Sequence, residues 1–502
     1  MEKELVRVGF AWQPADPSDQ EVCDMVDKAI FHTLGVKGLR QIIRPGNRVV
    51  LKVNMVGPSF GARGEKGRSI ITDPRVTRHV AARVREIIGF GGRSSLKVID
   101  GLMYREPEPS LKHEKGSFYW GRLERTGDNS VDPGDITYDL EAKGILDGGS
   151  EAELINLDSI LAEDRQLFDV EMANGNIIKV SFPKFLRTQA QAQSTDSPHE
   201  YTDVLIGLPI LKSHGIQGMT GAIKLHYGIR NKWGMPGDPG RFGHSGMVID
   251  DTGIHHKERL TDYICAQHKV RSYDFCIMDC ITANRIGPLL PDSGVSYQPF
   301  LDTPADYIIS GAMMASLDPV ALDVAGTALA GYEQDSIPTL AAAGREGLGQ
   351  HNPALIKIAG NRTFSMHRLF LWHKYNQEGL RSRYPLLDGH GGARAMQTVE
   401  PGYAIYASMP KKTGENVYRI DFSVNRTYKI SCRRIVRVDL IISDDWVVEF
   451  HIGRNLANGY FTLDLNNYPE LLGTDIGYNV LAWDDSFNCI ASAERFITQV
   501  FD

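Results

Sequence analysis

Short apolar runs alternate with segments of helical periodicity along most of this chain. The mostly apolar run 47–56 predicts a strand, and Thr72 or Asp73, followed by Pro74, predicts a capped helix start. A second strand is predicted at 95–101. A strand–helix–strand order favours parallel pairing, because two parallel strands need a crossover connection between them.

The same alternation continues beyond residue 150. Further strands are predicted in the segments 151–159, 168–175, 177–182, 205–211, 273–281, 306–311 and 354–360. Helices are predicted to begin at Asp318 and to cover 337–349, and the polar segment 188–200 is expected to be a loop. Strands that alternate with helices predict a three-layer α/β domain with a mainly parallel sheet, which we assign to residues 1–362.

The pattern changes to a period of two in the last part of the chain. Tyr418, Ile420 and Phe422 alternate with polar residues, as expected for a strand with one buried face. We therefore predict an additional C-terminal antiparallel β-sandwich domain over 400–502. The intervening segment 363–399 is basic and aromatic, and it is predicted to form a helix and linker.

The composition is that of a globular protein and narrows the range of partners. The chain has 502 residues and a formal net charge of −7, so no chain-wide basic field favours nucleic acid. No apolar run is long enough for a membrane-spanning helix, and the charged start lacks the apolar segment of a secretion signal. Six scattered cysteines do not suggest a disulfide framework, so we expect a cytoplasmic protein.

The segment 205–234 concentrates the candidate chemistry of the chain. It begins as an apolar strand and then places Lys212, His214, Lys224 and His226 among several glycines. Glycines let the backbone approach a ligand closely, lysines bring positive charge, and histidines bind metals or transfer protons near neutral pH. A buried strand that leads into such a loop predicts an anion or metal site at the carboxyl end of the sheet.

Three lysines, Lys52, Lys212 and Lys224, lie in or just after apolar segments that resemble strands. If these strands are parallel neighbours, the three ammonium groups converge at one end of the sheet, where they would hold a carboxylate or phosphate. A lysine that leaves an apolar strand is costly unless it reaches an anion or water. The alternatives are contact with solvent or structural pairing with an aspartate. The candidate aspartates are Asp100, Asp318 and Asp323.

His214 and His226 are the candidate metal ligands of this segment, because imidazole suits zinc, iron, nickel or copper. Their spacing matches no closed zinc pattern, so the alternative is that His214 is a general acid or base without a metal. Asp323 could pair with a lysine or orient His214, whereas Asp318 fits a helix N-cap. Further metal ligands would come from His244, His255, His256, Asp250, Asp251 and Asp279.

The loop 61–69 offers backbone N–H groups and three cations, including Arg68. Its glycines are one residue too far apart for the phosphate-binding loop of a nucleotide triphosphatase, and an arginine replaces the lysine. Either an anion-gripping flap or a solvated surface loop fits this segment. Cys276 and Cys280 lie four residues apart in a predicted strand, and we interpret them as core thiols.

Four segments together resemble domain of unknown function family 362. They are LKVNMV with ITDP, LIGLPILKSHG, GAIKLHYG, and SLDPVALDVAG followed by GREGLG. The resemblance covers roughly residues 45–360 and leaves the C-terminal part unmatched. It implies an α/β fold and no settled activity. The family residues that it carries over to this chain are Lys52, Asn54, Lys212, His214, Lys224, Asp318 and Asp323.

Many members of this family also carry iron–sulfur ferredoxin segments. This chain departs from that pattern, because Cys276 and Cys280 are its only close pair of cysteines and it has no C-x-x-C-x-x-C run. No iron–sulfur cluster is therefore expected. A nucleophile elbow and a dinucleotide fingerprint are also absent from the sequence.

Two hypotheses follow from these observations. In the first, the protein is an enzyme that acts on a small anionic metabolite. Its catalytic residues would be His214, Lys212 and Asp323, and its substrate-binding residues Lys52, Asn54, Lys224 and Arg68. An oxidoreductase or lyase activity would require a divalent transition metal or a recruited cofactor, whose identity is not readable from the residues.

In the second hypothesis, the α/β domain binds an anion without catalysis, and the β-sandwich binds a protein partner or a glycan. Exposed aromatic residues such as Tyr403, Tyr406 and Tyr460 would serve that purpose, although packing explains them equally well. Under both hypotheses we expect no nucleic acid and no membrane as partner, and a homo-oligomer stays open.

Overall fold

The computed structural model describes residues 5–13, 16–54, 71–101, 152–157, 160–214, 216–230, 237–242, 257–284, 307–360, 364, 403–426, 434–442, 446–453 and 456–497. The chain forms two compact units. The α/β unit is built mainly on Arg7–His351, and the sandwich unit mainly on Asn352–Gly379 and Met396–Asp502. The predicted linker 363–399 lies outside the described residues except for Phe364.

The α/β unit is organised around a mixed sheet. Its strands are β1 (Val6–Trp12), β2 (Arg48–Val53), β3 (Ser95–Asp100), β4 (Glu153–Asn156), β5 (Arg165–Glu171), β6 (Ile177–Pro183), β7 (Val204–Leu208), β8 (Ile210–His214), β9 (Gly218–Thr220), β10 (Phe275–Asn284) and β11 (Tyr307–Ser316). The main sheet has the order β1-β11-β10-β7-β2-β3-β4, and β8 pairs with β10 and β9. β5 and β6 form a separate antiparallel hairpin.

Pairing in the main sheet is parallel from β10 through β7, β2 and β3 to β4. By contrast, β11 runs antiparallel to both β1 and β10. The predicted α/β fold with a mainly parallel sheet is therefore confirmed, with an antiparallel portion at one side. The parallel half matters for function, because the carboxyl ends of its strands meet at one edge.

The helices of this unit are α1 (Asp19–Leu34), α2 (Pro74–Ile88), α3 (Gln189–Gln193), α4 (Ala222–Leu225), α5 (Lys257–Val270), α6 (Pro319–Ala330) and α7 (Pro338–Arg345). As predicted, Asp73 caps α2, Pro74 occupies its first turn, and Gly89 ends it. The predicted capping role of Asp318 is also confirmed, since its carboxylate accepts the N–H groups of Val320 and Ala321. No helix in the ranges given above is long and apolar enough to cross a membrane.

Helices cover both faces of the sheet, which fixes where the polar residues point. Val49, Leu51 and Val53 of β2 belong to one hydrophobic cluster with residues of α1 and α2. Lys52 alternates with them and therefore points to the opposite face. That face carries α6, where Gly326 packs directly against Met278 of β10.

Two parts of this unit differ from the prediction. The segment 188–200 is not entirely loop, because Thr188 and Gln191 form a reciprocal capping box at the start of α3. The sequence reasoning also missed β1 and α1. The pair Ser18 and Glu21, which forms a capping box ahead of an apolar-periodic run, was the signal for α1.

In the sandwich unit every pairing within the two sheets is antiparallel, and the short strand β12 belongs to neither sheet. Its strands are β12 (Ile356–Ala359), β13 (Tyr403–Ala407), β14 (Lys411–Gly414), β15 (Val417–Arg426), β16 (Ile435–Ile442), β17 (Trp446–Ile452), β18 (Asn458–Asp464), β19 (Ile476–Asp484), β20 (Cys489–Ala491) and β21 (Arg495–Ile497). One sheet contains β13, β14, β15 and β18, and the other contains β16, β17, β19, β20 and β21. Ile420 and Phe461 face Val438, Leu440 and Val480 across a shared core, which confirms the predicted antiparallel sandwich.

A buried ion pair lies on β16 within this unit. Arg437 Nε lies 2.9 Å from Asp439 Oδ1, and Trp483 Nε1 donates to Asp439 Oδ2 at 2.7 Å. Arg437 Nη1 also donates to the Ile356 carbonyl at 2.6 Å. Burial raises the pKa of Asp439, and Arg437 opposes that rise. Both charged groups are thus engaged by fixed partners.

Candidate functional site

A lysine–aspartate pair is buried where β2 and β3 end. Lys52 is 1% exposed, and its Nζ lies 2.5 Å from Asp100 Oδ1 and donates to the Val53 carbonyl at 2.8 Å. Burial lowers the pKa of Lys52, and the Asp100 carboxylate opposes this effect. The backbone of Gly228 lies against the pair, since a Cβ there would be 2.4 Å from Asp100 Oδ1. A glycine at 228 is therefore required by this close approach.

The second lysine, Lys212, lies within β8 and is fully buried. Its Nζ donates to Asn54 Oδ1 at 3.3 Å, so the side chains of Lys212 and Asn54 are in contact. Burial lowers the pKa of Lys212 well below its usual value, Lys224 lowers it further, and Asp100 raises it. These electrostatic interactions place Lys212 close to both Lys224 and Asp100.

The third lysine, Lys224, lies on the short helix α4 rather than on a strand. Asp323 of α6 holds the start of this helix, because its carboxylate accepts the Ala222 N–H at 2.6 Å and the Ile223 N–H at 2.9 Å. Burial raises the pKa of Asp323 to about 7, although these two hydrogen bonds lower it. The described contacts thus show Asp323 positioning the helix that carries Lys224.

Lys224 and Arg230 are both buried, with 6% and 5% exposure. Lys224 Nζ lies 5.7 Å and Arg230 Cζ lies 4.6 Å from the ring centre of Tyr227. Neither side chain has a hydrogen bond or an ion pair with any residue that the structure describes. Burial lowers the pKa of Lys224 to about 7, and the charges of Arg230 and Lys52 lower it as well. Two buried cationic side chains therefore lie together without a carboxylate of their own.

His214 ends β8, two residues after Lys212, so both side chains lie on the same face of the strand. Its Nδ1 accepts the backbone N–H groups of Ile216 at 3.1 Å and Gln217 at 3.2 Å. Because Nδ1 is an acceptor, the proton of the neutral ring is on Nε2. His214 is thus held in the tautomer of a proton donor, on the side of the sheet that carries the lysines.

His226, the other candidate metal ligand, is packed in an aromatic cluster. Its ring stacks on His268 with centroids 3.8 Å apart, and Tyr273 packs edge-on at 4.2 Å. His226 Nε2 bonds to the Arg271 carbonyl. Burial lowers the pKa of His226 well below its usual range, and His268 lowers it further. These are the contacts of a neutral packed imidazole, and no cluster of three metal-ligating side chains occurs among the described residues.

A polar network fixes the neighbouring strand ends. Asn54 N–H donates to Thr72 Oγ1 at 2.9 Å, and Thr72 Oγ1 donates to the Leu208 carbonyl at 2.6 Å. Asp279 of β10 accepts the Asp73 N–H at 2.7 Å. Burial raises the pKa of Asp279 to about 7, and the Asp73 carboxylate raises it further. The network joins the ends of β2 and β7 to the middle of β10, and so it sets the position of Asn54.

The structure therefore brings Lys52, Asn54, Lys212 and Lys224 together around Asp100, with His214 on the same side of the sheet. Arg68 and its loop 61–69 lie outside the described residues, as do the remaining histidines and aspartates proposed as metal ligands between 243 and 256. Sequence reasoning did not single out Tyr227, and it recognised Arg230 and Gly228 only as members of the segment 205–234 without a role of their own. Their signal was the compact order of lysine, tyrosine, glycine and arginine in KLHYGIR. Cys276 and Cys280 are buried free thiols, as predicted.

Comparison with known proteins agrees with part of this description. Residues 160–328 match the model of a family described as Domain of unknown function (DUF362). The resemblance predicted for roughly 45–360 is thus confirmed over this segment, which carries Lys212, His214, Lys224 and Asp323. No curated protein matches the chain.

Several solved structures are similar to parts of the chain. A DUF3823 family protein from Parabacteroides merdae is 16% identical, with 20% of this chain and 53% of that chain covered and a TM-score of 0.16. The lactate racemase apoprotein from Thermoanaerobacterium thermosaccharolyticum is 13% identical, with 66% and 57% covered and a TM-score of 0.32. A protein from Thermotoga maritima is 9% identical, with 53% and 52% covered and a TM-score of 0.25. The chain spans little more than half the length of each.

Proposed function

We propose that the α/β unit is an enzyme unit that binds a small anionic metabolite through its carboxylate or phosphate group. The observation that carries this proposal is the pair of buried basic side chains, Lys224 and Arg230, which have no hydrogen-bond or ion-pair partner among the described residues and lie near Lys52 and Lys212. Three lysines, Lys52, Lys212 and Lys224, share the charge of Asp100, and Arg230 adds positive charge beside Lys224. Among the described residues the basic groups of the site therefore exceed the acidic ones, and a bound anion would offset that excess.

The energetics of burial favour this interpretation over a purely structural role. An ionised side chain in a low-dielectric environment is strongly destabilising unless a partner of opposite charge lies close to it. Arg230 presents a planar donor set that suits a carboxylate or phosphate, and Lys224 adds a compact point charge. An anion at this position would also raise the pKa of Lys224 from about 7 toward its usual range, because an opposite charge favours the protonated form.

The groups beside this anion position support proton transfer as the chemistry. His214 is held as the neutral ring with its proton on Nε2, which suits it to donate a hydrogen bond to a substrate oxygen. Lys224 has a pKa of about 7, so it exchanges a proton near neutral pH. Lys212 and Asn54 would hold a polar group of the substrate between these two. Asp323 would act through its hold on α4 rather than by contact with the substrate.

Anion binding is tested with inorganic phosphate and malonate as probes, by calorimetry and by thermal unfolding of the full chain. Phosphate should raise the Tm of the wild type but not that of Lys224→Met or Arg230→Met. The matched control is Lys37→Met, an exposed lysine of the same unit. Loss of one charged hydrogen-bond partner should weaken binding by about 10- to 100-fold. Equal affinity in the wild type and in both site variants would refute the proposed site.

A non-catalytic binding protein is the second candidate, and a groove in the sandwich unit favours it. The groove has a volume of about 410 Å³ and is lined in part by His451, Asn458 and Tyr460. Tyr460 is 49% exposed, and Arg419 stacks over its ring at 4.0 Å. Aromatic and amide groups of this kind suit a glycan or a peptide. A glycan array probed with the full chain and with Tyr460→Ala would favour this candidate if only the wild type bound.

A bound divalent metal and a cytoplasmic location stay predictions from the sequence. Native mass spectrometry of freshly purified protein tests the metal directly. A transition-metal adduct that disappears in His214→Ala would assign His214 as a ligand. An adduct that persists in that variant would place the metal elsewhere in the chain.

A further inference from the structure

The three buried lysines of the site differ in what their amines contact. Lys52 Nζ donates to Asp100 and to the Val53 carbonyl, and Lys212 Nζ donates to Asn54. Lys224 Nζ has no such acceptor among the described residues, and its nearest characterised neighbour is the ring of Tyr227. Two of the lysines are therefore tied to oxygen atoms, whereas the third presents an amine that nothing in the described site occupies.

The surroundings of Lys224 favour the neutral amine. It is buried to all but 6% of its surface, and Arg230 and Lys52 bring positive charge close to it. A desolvated lysine beside another cation loses its proton readily, and the neutral amine is a nucleophile toward carbonyl carbon. The pKa of about 7 agrees with this geometry. Lys224 thus lies beside the proposed anion position and is also a candidate nucleophile.

We propose that Lys224 forms an imine with the carbonyl group of a 2-oxo acid whose carboxylate is held by Arg230. This inference rests on the proposed function, because the carboxylate occupies the anion position described above. A 2-oxo acid carries its carbonyl directly beside its carboxylate, which matches an amine and a guanidinium that share one aromatic ring as neighbour. The substrate class of the site is then small carboxylates that carry a carbonyl group next to the carboxylate.

The step balances without an oxidant or reductant. The lone pair of Lys224 Nζ attacks the carbonyl carbon, a carbon–nitrogen bond forms, and the carbon–oxygen π bond breaks onto the oxygen, which takes one of the two amine hydrogens as a proton. The remaining carbon–oxygen bond then breaks, the hydroxyl leaves with the second amine hydrogen as water, and a carbon–nitrogen double bond remains. Such an imine withdraws electrons from the substrate carbon next to it, so a proton on that carbon becomes easier to remove.

Reductive trapping tests the proposal. The full-length protein is incubated with pyruvate or glyoxylate and sodium cyanoborohydride, which reduces an imine to a stable secondary amine. Peptide mass spectrometry should then locate one fast, near-stoichiometric adduct on Lys224, above the slow background on exposed lysines such as Lys37. Inorganic phosphate should suppress this adduct by competing for Arg230, and it should leave the background unchanged.

The conservative variant Lys224→Arg keeps the positive charge and removes the nucleophile. It should retain phosphate binding within about threefold and lose the adduct completely. If phosphate binds and no adduct forms on Lys224 of the wild type, imine formation is refuted and the anion site stands. If phosphate does not bind and no adduct forms, both proposals fail. Protection of wild-type Lys224 by phosphate gives a result even if the arginine variant does not fold.

Discussion

Each unit of this protein buries charged side chains, but the two sets of charges are arranged differently. In the sandwich unit, Asp439 is held by Arg437 and Trp483, and Arg437 also bonds to a backbone carbonyl. In the α/β unit, Lys52, Lys212 and Lys224 share the charge of Asp100, and Lys224 and Arg230 have no hydrogen-bond or ion-pair partner among the described residues. Burial is equally deep in both places. If the proposed anion site is correct, charge balance rather than burial distinguishes it from a structural ion pair.

The largest expected effect on the free energy of unfolding is at the ion pair of Arg437 and Asp439 in the sandwich unit. Arg437→Met would leave Asp439 buried without its cation, which should lower the free energy of unfolding by about 3–5 kcal/mol. Urea unfolding followed by tryptophan fluorescence measures this loss. Arg419→Met in the same unit is the control, because its exposed pair with Asp421 contributes only about 0–1 kcal/mol. A loss below that of the control would show that Arg437 and Asp439 are not coupled.

A smaller loss of stability is expected at Gly228, where the backbone lies against Asp100 and Lys52. Gly228→Ala places a Cβ within contact of Asp100 Oδ1 and Lys52 Nζ, so the ion pair must shift. We expect a loss of about 1–3 kcal/mol in the free energy of unfolding together with weaker phosphate binding. Gly347→Ala is the control. Gly347 has a positive φ of 66° but open space around it, so this variant introduces backbone strain without crowding. Equal phosphate affinity in Gly228→Ala and the wild type would place the anion elsewhere.

The low pKa of Lys224 should make the free energy of unfolding depend on pH. The pKa of Lys224 is about 7 in the folded protein and 10.5 as its ordinary value. Between these values the unfolded chain binds a proton that the folded chain does not, so the free energy of unfolding should rise as pH increases from 7 to 10. Denaturation curves at a series of pH values measure this slope. Lys224→Met should flatten it, and an unchanged slope would contradict the unpaired state of the amine.

The smallest expected effect, that of Lys224→Met, gives the clearest test of the difference between a lysine with a carboxylate partner and one without a described partner. At neutral pH, Lys224→Met should change the free energy of unfolding by no more than about 1 kcal/mol, or should increase it, because a costly buried amine is replaced by an apolar chain of similar length. Lys52→Met should instead be destabilising, because it removes the buried ammonium group that lies 2.5 Å from Asp100 Oδ1. A similar large loss in both variants would mean that Lys224 has a structural partner, and the contrast between the lysines would fail.

Much of the fold could be predicted from local patterns. The capped start of α2, the strands of the parallel half and the period-two strands of the sandwich each depend on residues close together in sequence. Lys52 and Lys212 were recognisable because charged residues interrupt apolar strands. The parallel order β7-β2-β3 then explains why strand-end side chains meet.

Other parts of the site depend on contacts that no local pattern reveals. The helical state of Lys224 relies on Asp323, whose carboxylate caps α4 from about a hundred positions away in the chain. The requirement for glycine at 228 arises only because Asp100 and Lys52 lie against it. The packed role of His226 likewise depends on His268 and Tyr273, which belong to a later segment. Long-range packing therefore decides which charged residues stay unpaired.

The hold of Asp323 on α4 has a consequence for how this site can be altered. Asp323 belongs to α6, whose residues are buried along its whole length, so the helix under Lys224 is attached to the interior rather than to a surface loop. Exchanges on the outside of the molecule should therefore leave the amine where it is. To move Lys224 by design, one would have to shift α6 itself, and the site has in this sense the same mechanical rigidity as the core.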